Sequence, residues 1–274
     1  MAQLGEKTGV EYRAATASDG TQLGWRLHEG QGPGRIALVH ALAMDASFWD
    51  ALVPLLTPFA SVITYDCRGH GRSGKPAGPY TVEQFGDDLA AILDAAGWQT
   101  AVIAGASMGG CVTLAFAARH PARVAGLGLF DTTAWYGEKA PEQWAERAEK
   151  AEAEGMASLI GFQKSRWVSE AFLAQNPPSL QRALEVFVAN DVAAYGATCR
   201  MLGAADIRAA LPSFSVPARI LVGEEDYATP IAMAEALAAA IPGATMRVLP
   251  RARHFTPLEV PAELAGELEA LVKE

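Results

Sequence analysis

Ser107 stands at a bend that only small neighbours permit. Within residues 100–120 the pattern Gly105-x-Ser107-x-Gly109 has an apolar run before it and an apolar, alanine-rich run after it. Such a stretch reads as a buried strand, a hard turn and a buried helix, with the serine in a strained conformation and glycines where strand and helix approach. This is the geometry of a nucleophile elbow. The N–H of Met108 would then face the point where an oxyanion forms, beside a helix N-terminus that favours negative charge. A glycine-rich turn that merely contains a serine is the bland alternative, and the apolar flanks argue against it.

A serine hydroxyl is too weakly acidic to attack a carbonyl unaided, so Ser107 needs a histidine base and a carboxylate to orient that base. There are five histidines. His28 lies in an opening hairpin, His120 closes the elbow helix, His70 sits in a glycine-rich loop and His40 stands beside the loop expected to carry the second oxyanion donor. His254 follows the last predicted strand, where the active face of a doubly wound sheet lies, and is the preferred base. For the orienting acid, Glu224 and Glu225 read as solvated loop charges. Asp226 is favoured over its rival Asp131 by loop position and by its spacing from the histidine. The turn after the third strand makes the N–H of Leu42 the candidate second oxyanion donor.

One motif misleads. Gly69-His-Gly71-Arg-Ser-Gly74 matches a dinucleotide-binding fingerprint, but Lys75-Pro76-Ala-Gly-Pro79 intervenes before any helix, so no helix N-terminus would meet a pyrophosphate. No His, Cys or carboxylate cluster has metal-ligand spacing, and no cofactor is expected.

The elements that must position these residues alternate. Strands are predicted over 11–17, 21–28, 35–40, 61–65, the start of the elbow unit, 124–131, 218–223 and 245–249. Between them lie a helix carrying Phe48, Trp49, Leu52 and Leu55 with Asp45 as its cap, and a helix opened by the capping box Thr81-x-x-Gln84. Two more start near Pro230 and Pro261. From Thr132 the alternation stops for about eighty residues, too long for a structureless loop. Helical signals fill the gap: 141–154 ending at Gly155, with Glu146 four before Lys150; 156–164; a helix capped by Ser179 with Leu180, Leu184, Phe187 and Val188 on one face; and one from Asp191 to about Leu202. The reading is an α/β core of residues 1–131 and 212–274 with an inserted helical cap at 132–211.

Composition agrees with a globular protein. The chain has 274 residues, half of them apolar and 19% charged. A net charge of −9 argues against a nucleic-acid partner. No apolar run approaches membrane-spanning length, residues 1–8 lack the features of a secretory signal, and three cysteines outside any C-x-x-C pair suit a reducing cytoplasm.

With Ser107, Asp226, His254, the loop Asp66-Cys-Arg-Gly-His-Gly-Arg-Ser-Gly74 and Gly223-x-x-Asp226-x-x-Thr229-Pro230 in view, the chain resembles the α/β-hydrolase superfamily over nearly its whole length. Nucleophile, acid and histidine occur in that superfamily's chain order. Within it the chain is most similar to 3-oxoadipate enol-lactone hydrolases, through Glu154-Gly-Met156, Arg166-Trp167, Tyr195, Ala205-Asp206-Ile-Arg208 and Ile241-Pro-Gly-Ala244. The resemblance implies a mostly parallel eight-stranded sheet, helices on both faces, and a cofactor-free hydrolase opening a small lactone or carboxylic ester through an acyl-serine. The expected partner is that small molecule, and a homodimer is the candidate assembly. In these roles Ser107 attacks, His254 moves the proton, Asp226 orients it, and Met108 and Leu42 hold the oxyanion. Trp135, Trp167 and Met108 are expected to wall the pocket, with Trp144 and Phe172 in the lid core. Arg166 would pair a substrate carboxylate, or else be a solvated lid charge. The same triad also serves carbon–carbon hydrolases, peracid-forming hydrolases and ligand receptors built on this fold.

Overall fold

The computed structural model describes residues 10–274, so the reading of residues 1–8 lies outside the described residues. Eight strands form one sheet: β1 (Arg13–Thr16), β2 (Gln22–His28), β3 (Gly34–Val39), β4 (Ala60–Tyr65), β5 (Ala101–Ala106), β6 (Val124–Phe130), β7 (Ala218–Gly223) and β8 (Thr245–Leu249). Their spatial order is β1-β2-β4-β3-β5-β6-β7-β8, antiparallel across β1–β2 and β2–β4 and parallel elsewhere. Every residue of β5 is buried, as expected of a parallel strand covered on both faces, and its sequence Ala-Val-Ile-Ala-Gly-Ala accordingly lacks alternation.

The core helices are α1 (Val53–Leu56), α2 (Val82–Ala95) and α3 (Met108–Arg119), followed after the cap by α9 (Ile231–Ala240), α10 (Thr256–Glu259) and α11 (Pro261–Lys273). Both α3 and α11 lie on β5 and β6, while α2 packs on α3 and α1 on α11, which places the two pairs on opposite faces of the sheet. Because α3 sits between sheet and α2, it is buried all round from Met108 to Ala117. That explains its run of small and apolar residues. The capping box opening α2 forms, with Thr81 Oγ1 accepting from the Gln84 N–H and Gln84 Oε1 accepting from the Thr81 N–H.

Between β6 and β7 run α4 (Ala140–Glu154), α5 (Ile160–Trp167), α6 (Glu170–Gln175), α7 (Pro178–Val188) and α8 (Val192–Ala204). The pairing of α4 with α8 is the most extensive helix contact among the described residues. The two ends of this insertion meet, because Trp135 forms a backbone bridge with Asp206 and Ile207 N–H donates to Ala134 O.

Local expectations differ in several places, including the unexpected α10. The predicted helix after Asp45 divides into a 3-10 turn at Ala46–Trp49 and the short α1, because Pro54 can offer no N–H to the preceding turn; Leu55 is left exposed. The predicted helix at 156–164 is a 3-10 turn followed by α5, which runs on to Trp167. Helix α6 was not anticipated. In α7 the cap is Pro177 rather than Ser179, and Ala183 and Val186 face inward while Val188 is exposed.

Candidate active site

Ser107 occupies the turn between β5 and α3 with φ 56° and ψ −119°, a conformation L-residues rarely adopt. Two glycines make it sterically attainable. A Cβ on Gly105 would lie 2.1 Å from Gly109 O, and one on Gly109 would lie 2.0 Å from Val39 O. The turn is then locked by Ser107 N–H donating to Phe130 O at 2.9 Å and by Thr132 Oγ1 donating to Ser107 O at 2.7 Å.

Three side chains converge there. His254 Nε2 is 2.8 Å from Ser107 Oγ, and His254 Nδ1 is 2.9 Å from Asp226 Oδ2. An ionised carboxylate only accepts, so the Nδ1 proton points to Asp226 and Nε2 is left to accept from the serine hydroxyl. Asp226 is itself pinned: Oδ1 accepts from the N–H groups of Ala228 (2.7 Å) and Thr229 (2.9 Å), and Oδ2 also accepts from Thr229 Oγ1 (2.8 Å). Burial pushes this carboxyl up, but the adjacent His254 and the Thr229 hydrogen bonds outweigh it and hold Asp226 below its ordinary value. Asp131 has a different task. Its Oδ1 accepts from Gly223 N–H, and its Oδ2 accepts from the N–H and hydroxyl of Thr256, bracing β7 against α10. Burial and, after it, the charge of Asp226 raise Asp131 well above the usual carboxylate range.

The loop after β3 supplies the facing wall. His40 Nδ1–H donates to Ala41 O at 2.8 Å, and His40 Nε2 accepts from Cys67 N–H at 2.9 Å, so the neutral ring ties this loop to the loop after β4. Burial lowers His40 to about 4. Where a glycine is usual beside such a loop, Ala43 adopts φ 61°. Neither Leu42 N–H nor Met108 N–H, the latter at the first position of α3, donates to another group among the described residues.

The Gly69–Gly74 loop is structural. Asp66 accepts from the N–H groups of Ala46 and Arg72 at 2.7 Å each, and a Cβ on Gly71 would lie 2.3 Å from Asp66 Oδ2. Arg68 forks onto Asp88 and reaches Asp19. Among the described residues no group of three His, Cys, Asp or Glu is placed to hold a metal ion, and no helix is long and apolar enough to cross a membrane.

A cavity of about 520 Å³ opens above Ser107 and His254, floored by the core and roofed by the cap. Its walls correct part of the sequence reading. Trp167 lines it, stacked on Phe255 with ring centroids 4.8 Å apart. Trp135 does not: it belongs to the strap where the chain enters the cap, and there it carries the Arg208 guanidinium 3.7 Å above its ring. Tyr136 and Trp144, packed edge to face, take its place, so Trp144 is cavity wall rather than lid core. The Met108 side chain is fully buried and contributes no wall. Arg166 lines the cavity, but one arm donates to Tyr227 O at 2.5 Å and the guanidinium lies over Phe162.

Sequence reasoning missed Arg147. It lines the cavity together with Gln143, Glu146 and Lys150, one polar stripe of α4, while Ala148 and Ala151 are buried. The spacing i, i+3, i+4, i+7 was the available signal, of which the sequence reading took only the i, i+4 placement of Glu146 before Lys150. Arg147 Nε donates to Tyr195 OH at 2.7 Å, and the guanidinium stacks on Trp144.

A doubly wound sheet with a serine elbow and a helical cap between β6 and β7 defines an α/β-hydrolase. Residues 34–261 match the model of the alpha/beta hydrolase fold family, and the chain belongs to that family. Among its relatives is 3-oxoadipate enol-lactonase 2 of Acinetobacter baylyi, 29% identical over 234 residues that cover 85% of this chain and 86% of that protein. A pimeloyl-[acyl-carrier protein] methyl ester esterase of Aromatoleum aromaticum is 30% identical over 250 residues, covering 87% and 98%. The crystal structure of the enol-lactonase from Burkholderia xenovorans LB400 superposes with a TM-score of 0.90 at 34% identity, over 96% of this chain and 100% of that one.

Proposed function

We propose that this protein is a serine hydrolase that opens a small lactone, or cleaves a small carboxylic ester, through an acyl-serine. The observation that carries the reading is the continuous hydrogen-bonded line from Asp226 through His254 to Ser107 at the floor of a cavity, with two uncommitted N–H groups beside the serine. Ser107 Oγ attacks the carbonyl carbon as its proton passes to His254 Nε2. The carbonyl oxygen becomes an oxyanion held by Leu42 and Met108 N–H. His254 returns the proton to the leaving oxygen, and Asp226 stabilises the imidazolium throughout. Water, deprotonated by the same histidine, then releases the acid. If the leaving oxygen is that of an enol, as the names of the enol-lactonase relatives state for those proteins, the product becomes a ketone and opening is driven forward.

The substrate we infer carries a carboxylate. Arg147, Lys150 and Arg166 line the cavity against the single acid Glu146. Arg147 is the best prepared of them, with its stem and Nε fixed and no carboxylate partner among the described ion pairs. The test is a substrate panel of a carboxylated enol-lactone, its methyl ester and simple aryl esters, run with the wild type and with Ser107→Ala. Turnover of the carboxylated lactone in preference to its methyl ester, abolished in Ser107→Ala, is expected. Full activity in the variant would overturn the mechanism, and preference for the methyl ester would overturn the substrate class.

A further inference from the structure

We propose that Arg253 and Glu259 are positioning residues that set His254 by fastening its loop to the end of lid helix α5; this rests on the hydrolase reading above. His254 needs its two ring nitrogens aimed in opposite directions within a few tenths of an ångström. Its ring bonds are to Ser107, Asp226 and Thr229. The chain on either side of it is therefore what fixes its depth and tilt.

Both neighbours are tied into residues 165–169. Arg253 is 8% exposed. Its Nη1 donates to Ser165 O at 3.0 Å and Val168 O at 3.2 Å, capping carbonyls at the C-terminus of α5 that have no partner within the helix. On the other side, Phe255 N–H donates to Trp167 O at 2.7 Å, and the two rings stack. Glu259 closes the link, one oxygen accepting from Arg253 N–H at 2.7 Å and the other from Ser169 N–H at 2.8 Å. Finally, Arg253 Nε donates to Glu225 Oε2 at 3.1 Å, next to the triad acid, and Glu225 N–H donates to Ala252 O at 2.9 Å. One guanidinium thus joins the acid loop, the histidine loop and the lid.

A cap that served only stability would leave the chemistry of folded molecules unchanged. A positioning group would not, because displacing a proton-transfer partner by about 1 Å costs on the order of 100-fold in rate. Neither side chain lines the cavity, so substrate binding should be spared.

The experiment compares wild type, Arg253→Met, Arg253→Lys and Glu259→Gln on one aryl ester. Rates are normalised by active-site titration with a fluorophosphonate, and the rate of Ser107 phosphonylation is measured separately. We expect Arg253→Met to lower kcat and the phosphonylation rate together by about 10–100-fold with KM within about 3-fold. Arg253→Lys, which keeps a donor to the α5 carbonyls, should recover much of the loss, and Glu259→Gln should fall between. Should Arg253→Met fail to fold, the other two variants carry the same comparison. Wild-type kcat and phosphonylation rate per titrated site, whatever the change in Tm, would overturn the proposal. A wild type whose Ser107 takes no label and turns over no ester would overturn the hydrolase reading with it.

Discussion

Replacing Gly109 with alanine probes the elbow without touching a reacting group. The three atoms nearest the added Cβ are Val39 O at 2.0 Å, Val39 C at 2.6 Å and His40 O at 2.8 Å, all backbone. No side chain can swing away. A carbon meets a carbonyl oxygen comfortably at roughly 3.3 Å, so the start of α3 and the end of β3 must separate by more than about 1 Å. In the proposed mechanism that seam carries the chemistry: Met108 N–H lies on one side of it, Leu42 N–H on the other, and Ser107 Oγ has only 2.8 Å to His254 Nε2. Overpacking of this kind costs about 1–3 kcal/mol in stability, and misplacement by about 1 Å costs on the order of 100-fold in rate. The assay is kcat on an aryl ester beside urea unfolding, with Gly266→Ala as the control. Gly266 lies in α11, and a Cβ there meets no atom within 4 Å. The control should therefore gain about 0.5–1 kcal/mol at unchanged kcat. A Gly109→Ala enzyme within about threefold of wild-type kcat would refute the reasoning, because that seam could then open without moving the donors.

Arg147→Met should raise KM for a carboxylated substrate at least about 10-fold, with kcat for its neutral methyl ester nearly unchanged, since the charge is removed while much of the stem packing on Trp144 is kept; steady-state kinetics on the pair decides it. His40 gives a pH dependence. Burial holds its folded value at about 4 against 6.5 unfolded, so between those values the unfolded chain takes up a proton that the folded chain does not. The stability it lends is complete above pH 6.5 and drains away as pH falls towards 4. Wild type minus His40→Gln, measured by urea unfolding, should therefore shrink by about 1 kcal/mol from pH 7.5 to 5.5, while Asp66 and Asp131, common to both proteins, cancel. A difference constant across that range would show the ring to be ionisable where it stands.

The elbow was legible in the sequence because its constraint is local: a serine at positive φ between a strand and a helix demands missing bulk two residues either side, and Gly105 and Gly109 announce it. The sheet was legible for a similar reason, since fully buried parallel strands are short unbroken apolar runs. Separating Asp226 from Asp131 was a matter of chain position alone, and both are buried carboxylates just past the carboxyl ends of neighbouring strands. What distinguishes them is hydrogen-bond direction, Asp226 towards His254 and Asp131 towards Gly223 and Thr256. The cap was read least well. An aromatic at helical spacing has the same signature whether it meets core or an empty cavity, so Trp135 and Trp144 exchanged roles. The polar face of α4, an ordinary solvated stripe by pattern, faces the cavity because α8 covers the alanine side. The Arg253 side chain offered no sequence signal, since the groups its guanidinium bonds lie 28 to 88 residues away.

The central claim is that Ser107 carries the acyl group between two half-reactions. Rapid acid quench of the protein with a slowly deacylating aryl ester, followed by peptide mass spectrometry, addresses it directly. The expected result is a stoichiometric burst of phenol and an acyl mass on the peptide containing Ser107, both lost in Ser107→Ala. Steady turnover with no burst, no adduct and an unimpaired Ser107→Ala enzyme would contradict it.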